Sequence, residues 1–378
     1  MSKAINKFLV SVIFASLTWY GFGLLRTEIN GRVWGSQAWA KDSSGAESDF
    51  QGVQLVFESL NTGCVISVPT ESGASESPQV LAELAKGLVL NVNTLLSPYG
   101  PQSDVRKLNE AGPGIWVDVE PLTIEAVNQA LVWNEATEGV FEPTIGPLKA
   151  LYKFDGQKLD HWPSEEAIAT AKNLVGPGKI LVDAKGSRLA HVDGGIKLDL
   201  GGLAKGFAAD LVAEAFANKG VVNAMINLGG EMRVMGKEPH DGTLNPWVVG
   251  LYDPLGRELH YSAQVWDKAI ATSGYLGKWF EYQGQRYSHI IDPLSGSPIS
   301  DEVAGVTVVH PGSATAADAL ATAFSVMGPS DCKSFLEKRS DLFPQGLEVI
   351  FSVKTSPDEL ETIFYSLDQK GTLTVSHP

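Results

Sequence analysis

Residues 8–25, FLVSVIFASLTWYGFGLL, run for 18 positions without a charge between Lys7 and Arg26. As a helix such a run reaches across the hydrocarbon core of a bilayer, and it exceeds the apolar core of most signal peptides. The chain therefore divides before any domain is considered. Residues 1–40 read as a signal peptide or membrane anchor, and residues 41–51, opening KDSSGAESD, as a polar linker. Ala38-Trp39-Ala40 offers a small-x-small cleavage site far beyond the apolar core, so a cleaved peptide and a retained anchor both stand. In either case the body is expected outside the cytoplasm, in the periplasm, with residues 8–25 able to hold it to the inner membrane. The competing reading, a buried helix of the body, is opposed by the two basic flanks and the polar stretch that isolate the segment.

Charge separates the two parts as well. The first 40 residues hold Lys3, Lys7, Arg26 and Arg32 against Glu28, a balance of +3, which leaves −18 of the total −15 to the remainder. A body this acidic has no general grip on nucleic acid or anionic lipid. With 44% hydrophobic and 19% charged residues it can bury a large core, which excludes disorder. Cys64 and Cys332 fit neither a disulfide scaffold nor a zinc cluster.

From Val53 onward short strands alternate with amphipathic helices, and no internal repeat is detectable. Helices are expected over 78–96, 121–138, 203–219 and 315–327, the last stopped by Gly328-Pro329. Strands are expected at IKLDL (196–200), NAMINL (223–228), 247–252, 286–291 and 305–309. Strands beside hairpin-like turns with interspersed helices predict an α+β domain with antiparallel or mixed sheets and packed helices.

Four segments could carry chemistry. In DLGGLAKGFAAD (199–210), Asp199 ends the expected strand, Gly201-Gly202 makes the turn, and the free N–H groups of the following helix favour an anion, with Lys205 adding charge. The same residues also describe an ordinary strand-to-helix turn, since the pattern is neither a Walker loop nor G-x-G-x-x-G. In TAADALATAFSVMGP (315–329), Asp318 and Thr322 stand four apart on one helix face, a carboxylate and a hydroxyl suited to Mg²⁺ or Ca²⁺. Helix capping and back-bonding would equally account for them. In RYSHIIDPLSGSPI (286–299), His289 is a candidate general base, histidine being the side chain suited to take a proton near neutral pH, or is a structural strand histidine. FEPTIGPLKALY (141–152) is a rigid loop, either a packed connection or part of a site.

Taken together and in order, these segments resemble the ApbE family, the FAD:protein FMN transferases historically called thiamine-biosynthesis lipoproteins. The resemblance spans about 52–365, leaving 366–378 as a tail, and rests on SPYGPQSDVRKLN (97–109), FEPTIGPL (141–148), DLGGLAKGFAAD, INLGGEMRVMG (226–236), ATSG (271–274), YSHIIDP (287–293) and ADALATAF (317–324). It implies one catalytic domain that splits FAD at its pyrophosphate and joins FMN through a phosphoester to a Ser or Thr hydroxyl of a partner protein, releasing AMP, with Mg²⁺ as cofactor. It further implies Asp318, Thr322 and the Gly202 carbonyl as metal ligands and His289 as base. Tyr99 would pack on the flavin nucleotide, with Thr62, Val140, Phe141, Glu142, Asp199, Lys205 and the backbone of Ile291 around the FAD. The acceptor implied is a subunit of a membrane redox complex or an FMN-binding domain. Two rivals are an Mg²⁺-dependent FAD pyrophosphatase and a flavin-binding protein without turnover.

The chain departs from the family in three places. No cysteine ends the leader, Glu142 stands where an Asp is common, and Thr62-Gly63-Cys64 replaces the usual Met-Gly-Thr.

Overall fold

A computed structural model of the chain describes residues 50–154, 157–240, 242–252, 259–274, 279–356 and 359–367. The leader, nearly all of the linker and the tail from residue 368 lie outside the described residues. Among those that are described, no helix is long and apolar enough to cross a membrane.

The frame is an eight-stranded sheet in which every neighbouring pair is antiparallel. Its spatial order is Gly52–Ser59, Thr62–Pro69, Ala224–Leu228, Glu231–Met235, Lys268–Gly274, Val303–His310, Glu348–Ser356 and Glu359–Ser366. Tight hairpins set the register. Leu60 and Asn61 both take positive φ, the conformation of a two-residue turn whose twist matches its strands. Gly229 and Gly230 close the next hairpin in the same way, and a Cβ on Gly229 would stand 2.1 Å from the Thr62 hydroxyl oxygen. That close approach admits only glycine.

Strand Ala224–Leu228 is buried at every position because the sheet is covered on both faces. Ile226 and Leu228 face the main core with the helices, whereas Met225 joins Met232, Val234, Trp247 and Val265 in a second core under the hairpin of Trp247–Tyr252 and Leu259–Val265. A third cluster gathers Leu148, Tyr152, Phe280 and Ile291, with Trp162 and Tyr287 against them. The domain is thus α+β, as expected, and its sheets are antiparallel. The parallel pairings among the described residues are two isolated bridges, Ile145 with Lys197 and Lys158 with Glu281.

Two long helices carry the site. Ala204–Asn218 packs on Ala314–Lys338 through small residues, with Gly206, Ala208, Ala209, Ala314 and Ala317 all buried. Asp210 of the first helix caps the second: its carboxylate accepts from the Ser313 and Thr315 hydroxyls and from the Ala314 and Thr315 N–H groups, at 2.8–2.9 Å. Removing it would orphan four donors, so Asp210→Ala is expected to lower stability by about 2 kcal/mol, read as a shift of the urea midpoint without a change of slope.

One expectation is corrected. IKLDL is extended, with Ile196, Leu198 and Leu200 buried alternately, yet it is not a sheet strand. The Asn109 side-chain amide takes the place of a neighbouring strand, accepting from Leu198 N–H at 2.7 Å and donating to Leu198 C=O at 2.9 Å. Gly328-Pro329 ends the helical run that begins at Ala314, as expected. Gly328 leaves the helical region with φ 69° and ψ 176°, and a further helical stretch from Pro329 runs to Lys338. Cys64 and Cys332 are both buried and free.

Candidate active site

Leu203 precedes the helix Ala204–Asn218 and has no side-chain acceptor for its first N–H groups. Asp318, on the other helix, supplies one: its carboxylate accepts the Gly206 N–H at 3.0 Å, and the residue is only 2% exposed. One turn further along, Thr322 meets the loop before that N-terminus. A Cβ placed on Gly202 would lie 3.1 Å from the Thr322 hydroxyl oxygen and 3.1 Å from the Phe141 ring. The Ser273 hydroxyl, from the ATSG strand, stands 3.3 Å from that of Thr322. Asp318 and Thr322 are therefore brought together with Gly202, which lies more than a hundred residues earlier in the chain.

The charges around them are few and mutually engaged. Lys205 pairs with the carboxylate of Glu231, which is 1% exposed. Burial pushes the Glu231 carboxyl up, Lys205 opposes this, and Asp318 adds to it. The Asp318 carboxyl is likewise pushed up by burial, against the pull of Lys205 and the Gly206 N–H. Burial would lower the Lys205 ammonium, but Glu231 and Asp318 together hold it above its ordinary value. Two enclosed carboxyl groups thus share one ammonium beside a hydroxyl and a backbone turn. A hard divalent cation fits that donor set, provided hydroxyl and carbonyl oxygens take part. Among the described residues no group of three or more His, Cys, Asp or Glu forms a metal cluster.

The FEPT loop is zipped to the glycine loop. Asp199 N–H donates to Pro143 C=O at 2.8 Å and Gly146 N–H to Lys197 C=O at 3.2 Å. The Asp199 carboxylate accepts from Gly201 N–H at 2.8 Å and from the Lys149 ammonium at 2.7 Å. Phe141 and Glu142 are buried, and Val140 is half-buried. The Glu142 carboxylate accepts from the Thr144 N–H at 2.7 Å, its hydroxyl at 2.5 Å and the Asn134 amide at 2.9 Å. Its substitution for the commoner Asp retains a carboxylate, and here that carboxylate holds the loop in shape.

His289 is half-buried on the strand Gln285–Ile291, which packs against the helix bearing Asp318 and Thr322. Pairing with Pro298–Ser300 changes register between Tyr287 and Ile291, so the irregularity falls within residues 288–290, the stretch that carries His289. Ile291 is buried next to it. Tyr99 stands apart from these contacts, 73% exposed, at a loop whose backbone carbonyl accepts from Arg106. Thr62 lies across the sheet turn from Gly229, two residues before Glu231.

Three residues of this region escape a sequence reading. Glu231 had a signal, a carboxylate directly after Gly229-Gly230 at the start of a strand with Met232, Val234 and Met235. Ser273 and Lys149 carried none beyond their place in the quoted motifs.

The ApbE family's sequence profile matches residues 60–351. An FAD:protein FMN transferase of Vibrio cholerae serotype O1 is 32% identical over 288 residues, 75% of this chain and 84% of that protein. One from Treponema pallidum is 29% identical over 317 residues, 80% of this chain and 84% of its own. The solved flavin transferase ApbE from Vibrio cholerae superimposes with a TM-score of 0.68 at 30% identity, covering 83% of this chain and 96% of that one. The ApbE protein of Thermotoga maritima gives 0.69 at 31% identity, covering 82% and 96%.

Proposed function

The chain belongs to the ApbE family and is a flavin transferase acting on FAD and a protein; within that activity we propose that it uses Mg²⁺ at Asp318, Thr322 and Gly202 to move FMN from FAD onto a Ser or Thr hydroxyl. The observation that carries this reading is the meeting of a carboxylate, a hydroxyl and a glycine turn at a helix N-terminus, on a helix packed against the histidine strand. When bound, Mg²⁺ would supply positive charge to the diphosphate oxygens.

The remaining work falls to the chain. The N-terminus of Ala204–Asn218 aims backbone N–H dipoles at the diphosphate. His289 takes the proton of the acceptor hydroxyl, whose oxygen forms a bond to the FMN phosphorus while the bond from that phosphorus to the bridging oxygen breaks and AMP departs. Phe141 and Val140 offer apolar surface, and exposed Tyr99 a ring, to the nucleotide. Thr62, Glu142, Asp199, Lys205 and the Ile291 backbone complete its walls. The acceptor is a subunit of a membrane redox complex or an FMN-binding domain. We place the body, residues 52–365, outside the cytoplasm on the strength of the uncharged run 8–25.

Full-length protein incubated with FAD, Mg²⁺ and an acceptor is expected to give AMP together with a fluorescent acceptor band. AMP with free FMN would instead identify a pyrophosphatase. His289→Gln is expected to lower transfer by about 100-fold, the usual size of a lost general base, while FAD affinity stays within about twofold. A variant that transfers at the parent rate would remove His289 from the proton's path.

A further inference from the structure

Asp199 brings a negative charge to the loop that leads into Gly201-Gly202, beside the position proposed for a diphosphate. Left to itself it would repel that dianion. The carboxylate is instead held at both oxygens, one by Gly201 N–H and the other by Lys149 at 2.7 Å. Side-chain exposure is 11% for Asp199 and 31% for Lys149, so this pair is substantially shielded from water.

Lys149 is the last residue of a short helix, Gly146–Lys149, that nothing in its own sequence ties to the glycine loop. The tie is tertiary. A Cβ on Gly146 would stand 2.5 Å from the Lys197 side chain and 2.7 Å from its carbonyl, so the two segments touch backbone to backbone. Burial works to lower the Lys149 ammonium, but Asp199 outweighs it, and the Tyr99 phenol contributes in the same direction. Tyr99 is therefore within electrostatic range of Lys149. Lys205, on the helix Ala204–Asn218, is engaged by Glu231.

From this arrangement we infer that Lys149 is a positioning residue for the nucleotide substrate: it fixes the Asp199 carboxylate and cancels its charge, so that FAD meets an oriented and neutral pair. The inference rests on the proposed FAD site. It assigns to a residue outside the glycine loop a share of FAD affinity and none of the bond-making step.

The test compares Lys149→Met, Lys149→Arg, Asp199→Asn and the Lys149→Met/Asp199→Asn double variant in the full chain. Flavin fluorescence titration gives the FAD affinity, transfer assays give KM and kcat, and thermal midpoints control for folding. Lys149→Met is expected to raise the Kd and KM for FAD about tenfold with kcat within about twofold. Lys149→Arg is expected to restore most of the loss, and Lys149→Met in the Asp199→Asn background to cost less than about twofold, because the charge to be cancelled is gone. An equal cost in both backgrounds would mean that Lys149 acts on FAD without Asp199 and would overturn the inference. So would an unchanged Kd in Lys149→Met when Asp199→Asn alone weakens binding. If neither single variant changes FAD affinity, the proposed site itself is wrong, a result distinct from the other two. Should Lys149→Met fold poorly, Lys149→Gln, which keeps a donor for Asp199 without the charge, is expected to show the same rise in KM.

Discussion

Replacing Asp318 with Asn is expected to leave the domain folded while lowering Mg²⁺-dependent FMN transfer by roughly 10²–10³-fold, the cost of losing a preorganised electrostatic group. The two halves of this expectation come from the two things the carboxylate does. As an acceptor it receives the Gly206 N–H at 3.0 Å, and an amide oxygen in the same place can do that equally well. As a charge it stands in an enclosed site beside Glu231, where burial already pushes its carboxyl up. Removing that charge relieves desolvation and repulsion, so the melting temperature is expected to hold or to rise slightly. What is lost is the anionic ligand proposed for Mg²⁺. Asp318→Ala would confuse the matter by also orphaning Gly206 N–H, which is why the isosteric change is the informative one. Transfer measured at saturating FAD across a range of Mg²⁺, alongside thermal unfolding, checks both halves. Parent-level activity in Asp318→Asn would leave Asp318 as a helix cap and nothing more.

How far such a site can be read from sequence depends on whether its signals are local. The helix expected over 78–96 is found at Pro78–Leu96 because its start is written in adjacent residues: Ser77 caps Val80 N–H, and Pro78 occupies the first position. The i, i+4 spacing of Asp318 and Thr322 is equally local, and it does place both on one face. That this face meets Gly202 is a tertiary fact, which only the shared order of several motifs could anticipate. IKLDL shows the opposite case. Its alternating burial is real, but the group that satisfies its backbone is the Asn109 amide, 89 residues away from Leu198, and no local pattern distinguishes that partner from a strand. Charges are less legible still. Lys205 looked available for a phosphate, yet it pairs with Glu231, and Lys149, which looked like part of a loop, holds Asp199. A sequence lists charges without their partners, and in a site built from paired charges the pairing decides what each one can do.

The helix crossing under the site is where stability and activity meet. A Cβ added to Gly206 would fall 2.1 Å from the Ala314 carbonyl oxygen, 2.6 Å from its carbon and 2.9 Å from the Asp318 Cβ. Two of those three atoms are backbone, so no rotamer change makes room, and the helices Ala204–Asn218 and Ala314–Lys338 must move apart. Gly206→Ala gains about 1 kcal/mol of helix propensity, but the separation opens the alanine-lined contact and loosens the Asp210 cap at the same end. The net effect is expected to be a loss of about 3 kcal/mol, read from urea unfolding. Because Asp318 rides on the displaced helix, transfer is expected to fall as well, even at temperatures where the variant remains folded, since a displacement near 1 Å at a preorganised site costs on the order of 100-fold. Gly87 supplies the control. It lies exposed within Pro78–Leu96, and its added Cβ meets nothing within 4 Å. Gly87→Ala is therefore expected to stabilise by up to about 1 kcal/mol with transfer unchanged, because propensity is the only quantity that differs. If Gly206→Ala behaved like Gly87→Ala, the helices could not be as close as they stand here, and the convergence of Asp318 on the glycine turn would lose its geometric basis.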